Sequence, residues 1–357
     1  MKHVSLSLAV LSALCLAAPA NAAGRDVLVP ASDPAFEYEG RVDLRDASAP
    51  VVAWQSSSVS VDFEGELLSF RFGSATEQVY LNVSVDGDSR VIHPPKGDST
   101  VPWPGRLGAG MHRLVMVKRT EAGVSRFAFL GLVLADGASV RRPPQAAHGP
   151  RFLFLGDSIT AGACDEDGPA DQWEDRSTHN ATLSYAAVTS GAFGAQFENI
   201  SVSGMGIVEG YVDVTAHQVW DRIYPQADAP KADLGRFSPD VVFLNFGQND
   251  ASHSHLRKAP LPPSFVPAYL ELLASLRSAF PGAEIVILRG GMHENTNDPV
   301  FIAAWNEVVT RQKARDARCA SFAFTHWTDN HPRVADHAAM ARELTDWLRS
   351  QPFMAAR

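Results

Sequence analysis

The stretch Phe152-Leu153-Phe154-Leu155-Gly156-Asp157-Ser158-Ile159-Thr160-Ala161-Gly162 decides how the larger part of this chain is read. Four apolar residues closed by a glycine have the length and character of a strand buried on both faces. Gly156 lets the chain turn tightly directly afterwards. Ser158 then stands between strand and turn, where its hydroxyl can project above the end of a sheet. The pattern is not Gly-x-Ser-x-Gly, because Thr160 takes the place of the second glycine, so the usual α/β-hydrolase elbow is disfavoured. Taken alone, an Asp-Ser pair at this point is more simply a helix N-cap, and the rest of the chain has to decide.

Downstream, strand and helix signals alternate. Residues 184–195 read as a helix and 197–202 as a strand. Residues 241–246 are apolar except for Asn245, and 265–280 carry Tyr269, Leu270, Leu273 and Leu276 on one helical stripe. Then come a strand at 285–288, a helix at 302–314, a strand at 320–324 and a closing helix at 334–348. Such alternation predicts a parallel sheet with helices on both faces, whose sites lie beyond the carboxyl ends of the strands.

Upstream the period changes to two. Val59, Val61 and Phe63 alternate with polar neighbours, as do Leu68, Phe70 and Phe72, and then Val79, Leu81, Val83 and Val85. Asp86-Gly87-Asp88 is a hairpin signal, and 112–119 and 126–134 are further strand candidates. Residues 24–142 therefore read as a small antiparallel β-sandwich. Arg141-Arg142-Pro143-Pro144-Gln145 marks a stiff connection, which places a linker at 143–150 and an α/β/α unit at 151–357.

Residues 1–22 run from Lys2 and His3 through a mostly apolar stretch to Ala20-Asn21-Ala22, the pattern of a secretory signal peptide. Leu14 before Cys15 is too bulky for a typical lipoprotein cleavage site. A secreted or periplasmic protein without a membrane anchor is the expectation. The 357 residues hold 31 basic and 40 acidic side chains, a formal net charge of -9, which disfavours nucleic acid and anionic lipid as partners. Three cysteines cannot build a disulfide scaffold or a four-thiolate metal site. Export permits a Cys164–Cys319 bond, and the sequence leaves that pairing open.

Three further stretches fall at the ends of predicted elements. Ser203-Gly204-Met205-Gly206 follows the strand at 197–202, and its glycines can offer bare backbone N–H groups. Gly247-Gln248-Asn249-Asp250 follows 241–246, and Asn249 brings a side-chain donor to the sheet top; a turn would use the same residues. Asp329-Asn330-His331-Pro332 precedes the last helix, with Pro332 suited to a helix start.

Ser, Gly, Asn and His arriving in that order resemble the SGNH (GDSL) hydrolase superfamily over about 151–357. The resemblance implies Ser158 as nucleophile, His331 as base, and Ser158 N–H, Gly204 N–H and the Asn249 amide as an oxyanion hole. Most members place the acid three residues before the histidine, where this chain has Thr328. Asp329, two before His331, is the acid available, and that spacing is similar to carbohydrate esterase family 2. Tyr38-Glu39-Gly40-Arg41, Gly110-Met111-His112-Arg113-Leu114, Val117-Lys118-Arg119-Thr120-Glu121 and Ser203-Gly204-Met205-Gly206-Ile207-Val208 resemble the same family, which also carries an N-terminal β-sandwich.

This family resemblance implies a secreted O-acetyl esterase acting on acetylated plant polysaccharides, of xylan or glucomannan type. The chemistry needs no metal or other cofactor. If Asp329 cannot reach the imidazole, a backbone carbonyl would orient it and the site would be a Ser-His dyad. Trp327 is the foremost candidate for a sugar-binding aromatic, with His326 and Trp173 behind it. His253-Ser254-His255 lacks a third metal ligand nearby and reads as a solvated loop. The segment Asp165-Glu166-Asp167-Gly168, Asp171 and Glu174-Asp175-Arg176 is polar, which favours a polar substrate. Two alternatives stand beside this reading. One is an esterase, lipase or thioesterase for non-carbohydrate esters. The other is a non-catalytic carbohydrate-binding protein.

Overall fold

The computed structural model describes residues 26–144 and 149–355. The expected export signal lies outside the described residues, as do residues 145–148 of the expected linker.

The first part of the chain is a sandwich of two six-stranded antiparallel sheets. One sheet is centred on Ser69–Ala75 and Phe127–Ala135, the other on Ser58–Glu64 and Met111–Lys118. The period-two alternation sets which side chains point inward. Val59, Val61, Phe63, Leu114 and Met116 from one sheet pack against Phe70, Phe72, Phe129 and Leu132 from the other. Leu81–Val85 and Asp88–Ile92 form a hairpin. Asp86 and Gly87 turn it with φ of 52° and 88°, the left-handed geometry that matches the twist of a two-residue hairpin.

The second part is a five-stranded parallel sheet of strands β1 (Arg151–Gly156), β2 (Gln196–Ser201), β3 (Val241–Asn245), β4 (Glu284–Met292) and β5 (Cys319–Thr328). Their spatial order is β2-β1-β3-β4-β5. The chain leaves β1 to one side and returns to the other, so a crevice opens above β1 at the switch point. Alternate residues of each strand feed two separate cores. Leu153, Leu155, Val242, Leu244, Ile285 and Ile287 pack under helices Phe265–Ala279 and Pro299–Lys313. Phe152, Phe154, Val241, Phe243, Val286 and Leu288 pack under Tyr185–Ala192 and Val334–Arg349. Burial on both faces explains why the strands lack alternation in the sequence.

Two elements differ from the expectations. Gln248–Leu256 is a helix rather than a turn and solvated loop. β5 continues to Thr328, so Trp327 lies on a strand that runs beside β4. Cys164 and Cys319 are both free thiols, which answers the pairing question against a bond.

Sandwich and parallel sheet meet through buried polar contacts. Arg41 donates to Glu198 Oε2 from Nε and Nη2 at 3.1 and 2.9 Å, and from Nη1 to the Trp220 carbonyl at 2.6 Å. Gln55 Nε2 donates to the Ser201 carbonyl at 2.9 Å. Pairing offsets much of the cost of taking these groups out of water.

Candidate active site

Ser158 opens the short helix Ser158–Ala161 directly after β1. Asp157 caps that helix, accepting from Ile159 N–H at 3.0 Å. A side chain at Gly156 would meet Thr160 Oγ1 at 2.1 Å, so only glycine allows this close turn. The Asp157 carboxyl is fully buried, and burial pushes its pKa up to about 7.

His331 arrives from the loop between β5 and helix Val334–Arg349. Ser158 Oγ–H donates to His331 Nε2 at 2.8 Å. On the other side of the ring, Nδ1–H donates to Asp171 Oδ2 at 2.6 Å, and the His331 backbone N–H reaches the same oxygen at 3.2 Å. Arg333 Nη1 stands 2.8 Å from Asp171 Oδ1. Burial opposes an ionised Asp171, but the His331 and Arg333 contacts outweigh it and hold its pKa well below the usual carboxylate range. Hydroxyl, imidazole and carboxylate thus form one continuous hydrogen-bonded chain.

The acid in that chain is not Asp329. Thr328 Oγ1 donates to the Asn330 carbonyl at 2.6 Å, and the Asp329 side chain is 86% exposed, on the wall of the same cavity as Ser158 and His331 but bonded to neither. Its Oδ1 lies 3.8 Å from His293 Nδ1, and the His331 Nδ1 it would need is already taken. Asp171 comes instead from the long loop between Ser158–Ala161 and Tyr185–Ala192, which also holds Trp173. In the sequence that stretch reads only as polar. No spacing rule links it to a histidine far downstream, and its length without a helix or strand signal in the sequence was the available pointer.

Gly204 follows β2 with φ of +81°. Asn249 lies in the first turn of Gln248–Leu256, above β3. Gly247 at its N-cap has φ of +114°, and a Cβ there would meet the Phe301 ring at 2.0 Å. Asn249 Nδ2 donates to the Met205 carbonyl at 3.0 Å and stands 3.3 Å from Asp157 Oδ2. Asp250 accepts from Ile207, Val208 and Glu209 N–H at 2.9, 2.8 and 3.2 Å, fixing the segment after Gly204. Ser158, Gly204, Asn249 and His331 all line one cavity of about 580 Å³.

The aromatic side chains of that cavity are Trp173 and Tyr211, not Trp327. Trp173 packs edge-on to His331 with ring centroids 5.0 Å apart, and Arg176 sits 4.8 Å over its ring. Trp327 packs instead against His293, with ring centroids 5.3 Å apart. His326 is tied to Asp336 at 2.8 Å. The same cavity carries Glu121, Gln248, Ser252 and Glu294. Its wall combines aromatic faces with hydrogen-bonding groups, the mixture that suits a sugar.

A serine, a histidine and a carboxylate above a doubly wound sheet, beside two candidate oxyanion donors, define a serine hydrolase site. Residues 154–347 match the GDSL-like lipase/acylhydrolase family, and residues 38–144 match the N-terminal domain of carbohydrate esterase 2. The chain belongs to the GDSL-like hydrolases and, within them, to the family 2 carbohydrate esterases. It is 30% identical over 334 residues to the cellulase/esterase CelE of Acetivibrio thermocellus, covering 89% of this chain and 40% of that protein. It is 26% identical over 340 residues to an acetylxylan esterase/glucomannan deacetylase of Cellvibrio japonicus, covering 90% of each. A family two carbohydrate esterase from Clostridium thermocellum, solved with cellohexaose, superposes with a TM-score of 0.78 at 28% identity, covering 88% of this chain and 98% of that one.

Proposed function

We propose that the protein is an exported O-acetyl esterase that removes acetyl groups from acetylated plant polysaccharides of xylan or glucomannan type. The observation that carries this reading is the Ser158–His331–Asp171 chain in a cavity with sugar-compatible walls. Relatives named for acetylxylan and glucomannan, and one solved with a β-glucan oligosaccharide, support the substrate class. The pattern at 1–22 supports export, and no helix among the described residues is long and apolar enough to cross a membrane.

A serine hydroxyl is a weak nucleophile and needs a base. His331 Nε2 takes the Ser158 proton as Oγ attacks the acetyl carbonyl. The Ser158 N–H, the Gly204 N–H and the Asn249 amide receive the developing oxyanion. His331 then returns the proton to the leaving sugar oxygen, and the acetyl group stays on Ser158. A water deprotonated by His331 attacks that ester, and acetate is released as His331 passes the proton to the departing Ser158 Oγ, which restores the hydroxyl and the neutral imidazole. Asp171 holds the Nδ1–H tautomer and stabilises the imidazolium without itself taking the proton. For Asn249 to serve, one of its N–H groups turns from the Asp157 carboxyl, the longer of its two contacts, toward the substrate oxygen.

Initial rates on acetylated glucomannan, acetylated xylan and a long-chain aryl ester test the reading. Rates on the polysaccharides exceeding the long-chain rate are expected. Preference for the long-chain ester would move the protein to the lipases, and oligosaccharide binding without acetate release would make it a binding module.

A further inference from the structure

Glu121 belongs to the sandwich, just beyond strand Met111–Lys118, yet it lies in the wall of the cavity above Ser158 and is only 3% exposed. Its Oε2 accepts from the Ser203 backbone N–H at 2.7 Å. Ser203 immediately precedes Gly204, whose N–H is one of the three oxyanion donors. Downstream of Gly204 the chain is held by Asp250; upstream, Glu121 is the side chain that receives this N–H.

The turn that carries Glu121 is itself held on several sides. Buried Lys118 donates from Nζ to the Thr120 carbonyl and, at 3.2 Å, to the Glu121 carbonyl. Ala122 N–H donates to Gln55 Oε1 at 3.0 Å, and Gln55 reaches across to the end of β2. Arg119 donates to Glu166 and, at 2.7 Å, to the Ser177 carbonyl in the loop that carries Asp171. One braced turn therefore touches both the oxyanion loop and the acid loop.

A carboxylate beside a forming oxyanion is electrostatically unwelcome. Arg176 Nη1, 3.9 Å from Glu121 Oε1, offsets part of that repulsion. A group with an unfavourable charge is useful here through geometry: a charge-assisted hydrogen bond is shorter and stronger than a neutral one and fixes the peptide it holds.

We propose that Glu121 is a positioning residue for the esterase reaction: through the Ser203 N–H it aims the Gly204 N–H at the oxyanion, so that the sandwich domain completes the catalytic site. This rests on the esterase reading above and extends it to a residue outside the hydrolase domain.

The test compares full-length wild type with Glu121→Ala, Glu121→Asp and Glu121→Gln. It measures kcat and KM for acetate release, and the rate at which a fluorophosphonate labels Ser158, since the phosphoryl oxygen of that reagent occupies the same donors. Misplacing a catalytic contact by about 1 Å can cost as much as 10²-fold. Glu121→Ala is expected to lower kcat about tenfold or more, to slow labelling by a similar factor and to leave KM within about twofold. Glu121→Asp, whose acceptor is withdrawn by one methylene, shows the same pattern and serves if the alanine variant does not fold. Glu121→Gln keeps an acceptor oxygen and restores most of kcat. Wild-type kcat and labelling in the alanine and aspartate variants, or a change confined to KM or to thermal stability, would overturn the inference while leaving the esterase reading intact. A wild type that neither releases acetate nor takes the label would overturn both.

Discussion

At the scale of single residues, the identity of the acid is the sharpest point. Asp329 sits at the sequence position a resemblance would choose, and Asp171 occupies the place chemistry requires, 2.6 Å from His331 Nδ1. Asp171→Ala should therefore lower kcat by about 10⁴, the size of loss seen when the orienting acid of a triad is removed. Asp329→Ala should leave kcat within about threefold, because an exposed carboxylate contributes little through solvent. The two variants assayed side by side on one acetylated substrate check this; equal losses would show that both carboxylates act on the imidazole. Ser158 and His331 could be singled out because Ser, Gly, Asn and His follow in that order at predicted element ends, as in the family the chain resembles, and their side chains lie 2.8 Å apart. Asp171 could not, because a carboxylate in an irregular loop leaves no periodic or spacing signal. Trp327 was misplaced for a related reason: β5 runs on beyond residue 324 by pairing with β4, and the length of an edge strand is set by that pairing rather than by local sequence.

At the scale of elements, the helix Gln248–Leu256 shows how tertiary structure overrides local preference. Ser252, His253, Ser254 and His255 are poor helix formers and give no apolar stripe. The helix forms because Gly247 permits the sharp exit from β3 and because Asp250 is anchored by three backbone N–H groups from the neighbouring loop. It brings Asn249 to the wall of the cavity above Ser158, where the proposed mechanism uses its amide. Asn249→Ala should lower kcat by about 10²–10³ while KM changes far less; near wild-type turnover would remove Asn249 from that role.

Helix Val334–Arg349 offers a second prediction at this scale. His337 on it is fully buried, accepts from Tyr185 N–H at 3.2 Å through Nδ1, and has its pKa pushed down to about 3 by burial. The native state refuses a proton that the unfolded chain binds below its ordinary value of 6.5. Native stability from this group is therefore intact above about pH 6.5 and falls steadily as pH drops toward 3. Comparing the pH dependence of Tm between wild type and His337→Phe isolates it. The wild type should lose more stability than the variant between those limits, and parallel curves would contradict the assignment.

At the scale of the whole molecule, the division into an antiparallel sandwich and a parallel α/β unit was legible from periodicity alone, since alternation and unbroken apolar runs mark half-buried and fully buried strands respectively. The dependence of one on the other was not legible, because it runs through isolated buried polar residues. Arg41 and Glu198 are the clearest case, with side chains 4% and 7% exposed. Arg41→Ala leaves the Glu198 carboxylate buried without its partner, which should destabilise the protein by about 3–5 kcal/mol in urea unfolding. A loss below about 1 kcal/mol would mean that water replaces the guanidinium readily and that the interface is loosely built.

The account as a whole stands on acetyl transfer to Ser158, and acetate release from acetylated glucomannan by wild type and Ser158→Ala measured in parallel tests it most directly. The wild type should release acetate with repeated turnover and the variant should retain only residual activity. Equal release by the two proteins, or none from the wild type, would contradict it.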